Sequence, residues 1–375
     1  MKVVNELFDL VVVGAGIVGL ATAYAARQRG LRVAVLERNA RCIGASIRNF
    51  GFVTVTGQRR GEHWTRARRS RDVWARIAPQ AGIQVIHTGL NVLAQRPEGV
   101  PILQAFLDTE MGEGCRFLDP VQARQQVPEL QAGYGVLHSP HELRVESRDA
   151  IPLLANWLAQ SQGVEFFWNT AVHAVDLPVV HTSRGDFSAR YSVVCPGYDV
   201  STLFPDLLAE TKAQLCTLQM LRVQPAQPVR LSGAVMSDLS LVRYDGYADL
   251  SQAAALKARL REEQSVYLQH GIHLIAVQSA DGSLVVGDSH VYGEAEAPFA
   301  SQAIDDLILD ELHRVLNVPG ARVVERWTGT YPSAAEVVFK ASAAPGVVVG
   351  MVTGGTGAST GFAFGEELVA LALGD

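Results

Sequence analysis

Residues Asp9–Arg38 read DLVVVGAGIVGLATAYAARQRGLRVAVLER, and this stretch decides the fold. An apolar run, Leu10–Val13, enters a G-x-G-x-x-G turn made by Gly14, Gly16 and Gly19. A helix is expected to about Arg29, ended by Gly30. Leu31–Leu36 then return as a strand closed by Glu37. The first glycine permits a tight turn, the second lets backbone approach a pyrophosphate, and the third lets helix and strand pack closely. Free N–H groups and the helix dipole favour an anion at that helix N-terminus. Glu37 stands eighteen residues after Gly19, near the ~20 expected of an acid that holds a ribose hydroxyl. The ordered unit therefore predicts an adenine dinucleotide site.

Working outward, Leu10–Ala26 is nearly uncharged, but it is neither an export signal nor a membrane span. It follows Glu6 and Asp9, lacks a basic n-region, and is broken by three glycines before reaching ~20 apolar residues. With 375 residues the chain can bury a large core in two domains. A net charge of −6 gives no reason to expect nucleic acid. The arginine-rich segment Arg59–Arg76 alternates with apolar residues at helical spacing, as a solvated helix face does. Cys42, Cys115, Cys195 and Cys216 form no C-x-x-C pair, and no H-E-x-x-H or G-x-S-x-G occurs. No metal site is expected, and scattered cysteines suit a reducing cytoplasm.

Further along, the periodicity predicts helices over Glu62–Ala78, Pro101–Gly112, Asp119–Val127, Ser251–Glu263 and Phe299–Leu316, and one capped by Asp149 that runs to about Gln162. Ile83–Ala94 reads as paired strands around Thr88-Gly89, and Val136–Arg148 as an irregular crossing. His273–Val277 and Ser283–Gly287 read as a hairpin across Asp281-Gly282. Val347–Val352 is an apolar strand that enters a glycine-rich turn and a closing helix.

The N-terminal unit, the loop GASIRNFG (Gly44–Gly51), Val193-Val194-Cys195-Pro196-Gly197 and the tail VTGGTGASTG (Val352–Gly361) together resemble the FAD-dependent D-amino acid oxidase, glycine oxidase and sarcosine oxidase family. Gly287-Asp288-Ser289-His290 and the tail are more similar to a bacterial branch associated with aminophosphonate breakdown. The resemblance implies an α/β fold in which a Rossmann-like FAD-binding domain (residues 1–80, 143–212 and 323–375) interleaves with an α+β substrate domain (81–142 and 213–322) on a mostly antiparallel sheet. It assigns the pyrophosphate to Gly14, Ala15, Gly16, Ile17, Val18 and Gly19, and the ribose to Glu37 and Arg38. Ala45, Ser46, Arg48, Asn49, Phe50 and Gly51 would run past the ribityl chain and ring. Val172 would meet the adenine, and Gly197 belongs to the same cofactor set. Gly354, Gly355, Gly357 and Thr360 would close the pyrimidine end. Non-covalent FAD is expected.

Relatives that act on α-amino acids often carry W-x-G-x-R-P, whose arginine grips the carboxylate. Here the stretch is Trp327-Thr328-Gly329-Thr330-Tyr331-Pro332. With Tyr331 in place of arginine the bidentate clamp is lost. The anion must be held from elsewhere, with Arg48, Asn49, Tyr244, Tyr247, His290, Thr330, Tyr331 and Lys340 as candidates. The expected reaction is hydride transfer from a small anionic amine, with oxygen or another acceptor taking the electrons. An aminoalkylphosphonate such as 2-aminoethylphosphonate or its N-methyl form is the sharpest substrate expectation. Glycine, sarcosine or a D-amino acid is the alternative. A nicotinamide-linked dehydrogenase and a non-catalytic FAD-binding subunit complete the readings.

Overall fold

The computed structural model describes residues 4–375. The opening strand Val4–Val13 pairs in parallel with Val33–Leu36 on one side and Phe187–Val194 on the other. Glu165–Phe167 extends the sheet beyond Val33–Leu36, and Val347–Gly354 extends it beyond Phe187–Val194. Both faces are covered, so Val33–Leu36 is buried throughout, as parallel strands require. Between the first two strands runs the helix Ile17–Gln28. A Cβ on Gly19 would lie 1.9 Å from the Gly14 carbonyl oxygen, so only glycine lets the helix start this close to the turn. The closing helix Gly357–Leu373 packs against this first helix.

A second, mostly antiparallel region is built around Gln214–Gln224. It pairs with Leu284–Gly287, Val291–Gly293 and the first half of Arg322–Ala344. That last strand is 23 residues long. Its second half pairs antiparallel with Val347–Gly354, so one strand belongs to both regions and carries Thr330 and Tyr331 to their junction. The expected hairpin across Asp281-Gly282 forms from Ile275–Gln278 and Leu284–Gly287.

Three expectations are corrected. Val85–Ala94 is one strand rather than two; Gly89 sits at a register shift in its pairing with Gly135–Val145. Gly135–Val145 is a central strand, not an irregular crossing. Its polar residues hid it, because several of them are tied to other segments only in the fold. Buried Glu142 accepts from the Val55 and Thr56 N–H groups, and Arg144 donates to Glu146. Asp149 lies within the first turn of the helix Ser147–Gln162 rather than at its cap. The arginine-rich helix Glu62–Ile77 does present a charged face, with Arg66 paired to Glu367 and Arg69 to Glu366 on the closing helix. All four cysteines are free. Among the described residues, no helix is long and apolar enough to cross a membrane.

Candidate functional site

The parallel strands end at a common edge, where Val13, Leu36, Val194 and Gly354 line one cavity of about 900 Å³. The carboxyl edge of a parallel sheet is where such folds bind ligands. Glu37, Arg38, Val172 and Gly197 line one part of the cavity. Gly14, Gly16, Ile17, Val18, Gly19, Ala45, Ser46, Arg48, Asn49 and Phe50 line its course. Gly354, Gly355 and Gly357 face it with Tyr244, His290, Thr330 and Tyr331. Folding thus brings together segments far apart in sequence.

Local hydrogen bonds show how these segments are held. The Ile17 N–H donates to Ser46 Oγ at 2.9 Å, so the loop hydroxyl caps the helix start. The Glu37 carboxylate accepts from the Ala15 N–H (3.0 Å) and from the Asn39 backbone and side-chain nitrogens (2.9 Å each). These bonds fix Glu37 at the strand end while it still faces the cavity. Asn49 staples its own loop: Nδ2 donates to the Ala45 carbonyl, and Oδ1 accepts from Gly51 N–H and Ser147 Oγ.

Several expected residues do not line the cavity. Ala15 is fully buried and its N–H serves Glu37. Gly51 is needed for packing, since a Cβ there would fall 1.7 Å from the Val145 carbonyl oxygen. Thr360 is buried and donates to the Thr356 carbonyl within the helix. Tyr247 is a core residue, its ring 4.7 Å from that of Phe106. Lys340 points away on the long strand and pairs with Glu367. Thr330 reaches the cavity, but its hydroxyl donates to Glu296.

The structure adds residues the sequence reading did not select. Arg243 lines the cavity, half-buried, and donates to the Tyr292 hydroxyl at 3.2 Å. It has no carboxylate within ion-pair distance among the described residues. His273 and Asp288 join His290 on the same wall. Burial pushes the His273 and His290 imidazoles down, His290 to about 3, so both are neutral at pH 7. Arg243 was masked by the two tyrosines of Leu241–Tyr247, Tyr244 and Tyr247, which carry the only aromatic signal there. Asp288 and His290 stood together in the Gly287–His290 stretch, but His273 gave no signal.

Residues 9–371 match the family model described as FAD dependent oxidoreductase, DAO. The chain belongs to the DAO family of FAD dependent oxidoreductases. No curated protein matches it in sequence. Its fold is similar to glycine oxidase from Bacillus cereus (TM-score 0.78, 16% identity, covering 98% of this chain and 95% of that one). It is also similar to glycine oxidase from Geobacillus kaustophilus (0.78, 18%, 99% and 96%) and to L-proline dehydrogenase from P. horikoshii (0.78, 17%, 98% and 93%).

This DAO-family site fits an elongated dinucleotide on its own terms. The closing helix begins at the cavity with Thr356, whose buried hydroxyl has no partner and whose side chain does not cap the helix. Both ring nitrogens of His63, another lining residue, are likewise buried and unpartnered. Unanswered polar groups on a cavity wall are what a polar ligand would satisfy.

Proposed function

We propose that this DAO-family protein oxidises the C–N bond of a small anionic amine. One observation carries the reading: Arg243, a cation with no carboxylate within ion-pair distance among the described residues and with Asp288 acting on it from farther off, lies on the cavity wall near Tyr331. It supplies, from a different strand connection, the charge that Tyr331 does not. Bound FAD would supply the hydride acceptor for that oxidation. The other roles belong to the chain's own side chains. Glu37 and Arg38 hold the adenosine end, with Val172 and Gly197 beside it. The turn Gly14–Gly19 and the loop Ala45–Asn49 hold the middle. The closing helix N-terminus and Gly354, Gly355 and Gly357 would give fixed N–H donors to the pyrimidine end. Arg243 and Tyr292 orient the substrate anion, and orientation supplies much of the rate.

Non-covalent attachment fits the two cavity-lining thiols. Burial pushes Cys42 up to about 11 and Cys195 up to about 12, so neither is a ready thiolate nucleophile. Acid precipitation is expected to leave the yellow colour in the supernatant. The preferred substrate is an aminoalkylphosphonate, and the free cysteines support a cytoplasmic setting.

The test is anaerobic. The flavin-loaded protein is mixed in turn with 2-aminoethylphosphonate, its N-methyl form, glycine, sarcosine and D-alanine, and the flavin band is followed. Bleaching by a phosphonate is expected. Bleaching by the carboxylates alone would transfer Arg243 to carboxylate recognition and end the phosphonate reading. If no amine bleaches the flavin, the amine reading fails and a non-catalytic FAD-binding subunit takes its place.

A further inference from the structure

We infer that His273, Asp288 and His290 bind a divalent first-row metal ion on the cavity wall. The inference rests on the anionic-substrate reading above only for the ion's purpose, not for its binding.

The geometry converges on one point. His273 Nε2 lies 3.1 Å from Asp288 Oδ1, and His290 Nε2 lies 3.8 Å from Asp288 Oδ2. All the donor atoms lie within 4.8 Å of one another, and all three residues are buried. Zinc bonds of about 2.0–2.2 Å in a tetrahedron separate neighbouring ligand atoms by about 3.3–3.5 Å. The two observed separations, each to a different oxygen of Asp288, lie on either side of that value. His273 Nε2 and Asp288 Oδ1 are in direct polar contact, and no other group donates to that buried oxygen. Both imidazole edges and the carboxylate face a common position.

The surrounding shell fixes the same arrangement. His290 Nδ1 lies 2.8 Å from the Gly271 carbonyl, which only accepts, so Nδ1 donates and Nε2 keeps its lone pair. His273 Nδ1 lies 3.2 Å from Ser240 Oγ, which is also 3.4 Å from the Leu274 carbonyl. When that hydroxyl donates to the carbonyl, its oxygen accepts from Nδ1, and the second Nε2 also presents a lone pair. Outer partners of this kind orient histidines that ligate metals. Two imidazoles and one carboxylate suit zinc or iron(II) and leave coordination positions open.

The open side belongs to the wall that carries Arg243, Tyr244 and Tyr292. After Asp288 is counted, a divalent ion leaves one net positive charge, and Arg243 adds another. That pair of charges matches a dianion, such as a phosphonate oxygen set, better than a single carboxylate.

The test uses the FAD-loaded protein after chelator treatment and dialysis. Calorimetric titration with ZnCl₂, without substrate, is expected to show one ion per chain. Asp288→Asn and His290→Gln are expected to abolish that binding while the flavin spectrum persists. Ser240→Ala, which leaves all three ligands in place, is expected to weaken it by about 10-fold or more. Methylphosphonate, followed by its perturbation of the flavin band, is expected to bind about 10-fold tighter with zinc present. Absence of saturable binding of Zn²⁺, Fe²⁺ and Mn²⁺ to the wild-type protein would overturn the proposal. So would zinc binding that persists in both ligand variants. Zinc binding without tighter methylphosphonate binding would overturn the ion's role toward the anion. The amine reading is judged separately, by whether amines bleach the flavin.

Discussion

At the residue scale, Arg243 carries the greatest functional weight. A charged hydrogen bond contributes about 1.5–3 kcal/mol, so Arg243→Gln is expected to raise KM for the anionic amine by roughly 10- to 100-fold. Arg243→Lys keeps the charge but loses the planar fork, and recovers only part of that loss. Lys340→Gln is expected to leave KM unchanged, because Lys340 pairs with Glu367 outside the cavity. Steady-state kinetics on the three variants checks the contrast. A KM defect in Lys340→Gln with none in Arg243→Gln would reverse the assignment.

At the element scale, the crossing of the first and closing helices controls the cofactor end. A Cβ added at Gly365 would lie 2.7 Å from Ala21 C and Thr22 N, backbone atoms that cannot swing aside. Alanine gains about 1 kcal/mol of helix propensity over glycine, but overpacking costs about 1–3 kcal/mol or more. Gly365→Ala is therefore expected to be destabilising, with a lower urea midpoint and weaker flavin retention. The end of the strand Gly135–Val145 depends on a different kind of contact. The Arg144 side chain is fully buried, and Glu146 Oε2 accepts from Arg144 Nη2 (3.1 Å), Arg222 Nη2 (3.2 Å) and Ser279 Oγ (3.0 Å). Glu146→Gln leaves a buried cation unpaired and is expected to cost about 3–5 kcal/mol, read as the shift in urea midpoint. A change under about 1 kcal/mol would mean that Ser279 and water suffice.

At the scale of the whole molecule, stability should fall as pH drops below neutrality. Burial, with Arg144 nearby, lowers His87 to about 4, and its Nε2 accepts the Gln278 N–H at 3.2 Å. The unfolded side chain titrates near 6.5. Below that pH the unfolded state binds the proton first, so stability present above about 6.5 is lost as pH falls toward 4. Between pH 7.5 and pH 5 this group is expected to remove about 1–2 kcal/mol. Urea denaturation at the two values should show a smaller drop in His87→Gln. An equal drop would place the acid sensitivity elsewhere.

The sequence by itself determined the opening strand–turn–helix–strand unit, the glycine loops and the closing turn. Each is local: a glycine admits a close approach, or an apolar run fills a parallel strand. The hairpin at Asp281-Gly282 was legible for the same reason. Gly135–Val145 was not, because its polar residues find their partners on distant segments, and a polar run looks like a loop until those partners are known. The same holds for the site. Gly14–Gly19 and Ala45–Asn49 declared themselves by spacing, whereas Arg243, His273 and Asp288 meet only through the antiparallel sheet. Only the tertiary structure decided which candidates face the cavity. Tyr247 and Lys340 do not, since one ring fills the core and one ammonium pairs on the surface. Chain order fixes what a residue is, but a charge's function depends on which partners folding gives or denies it.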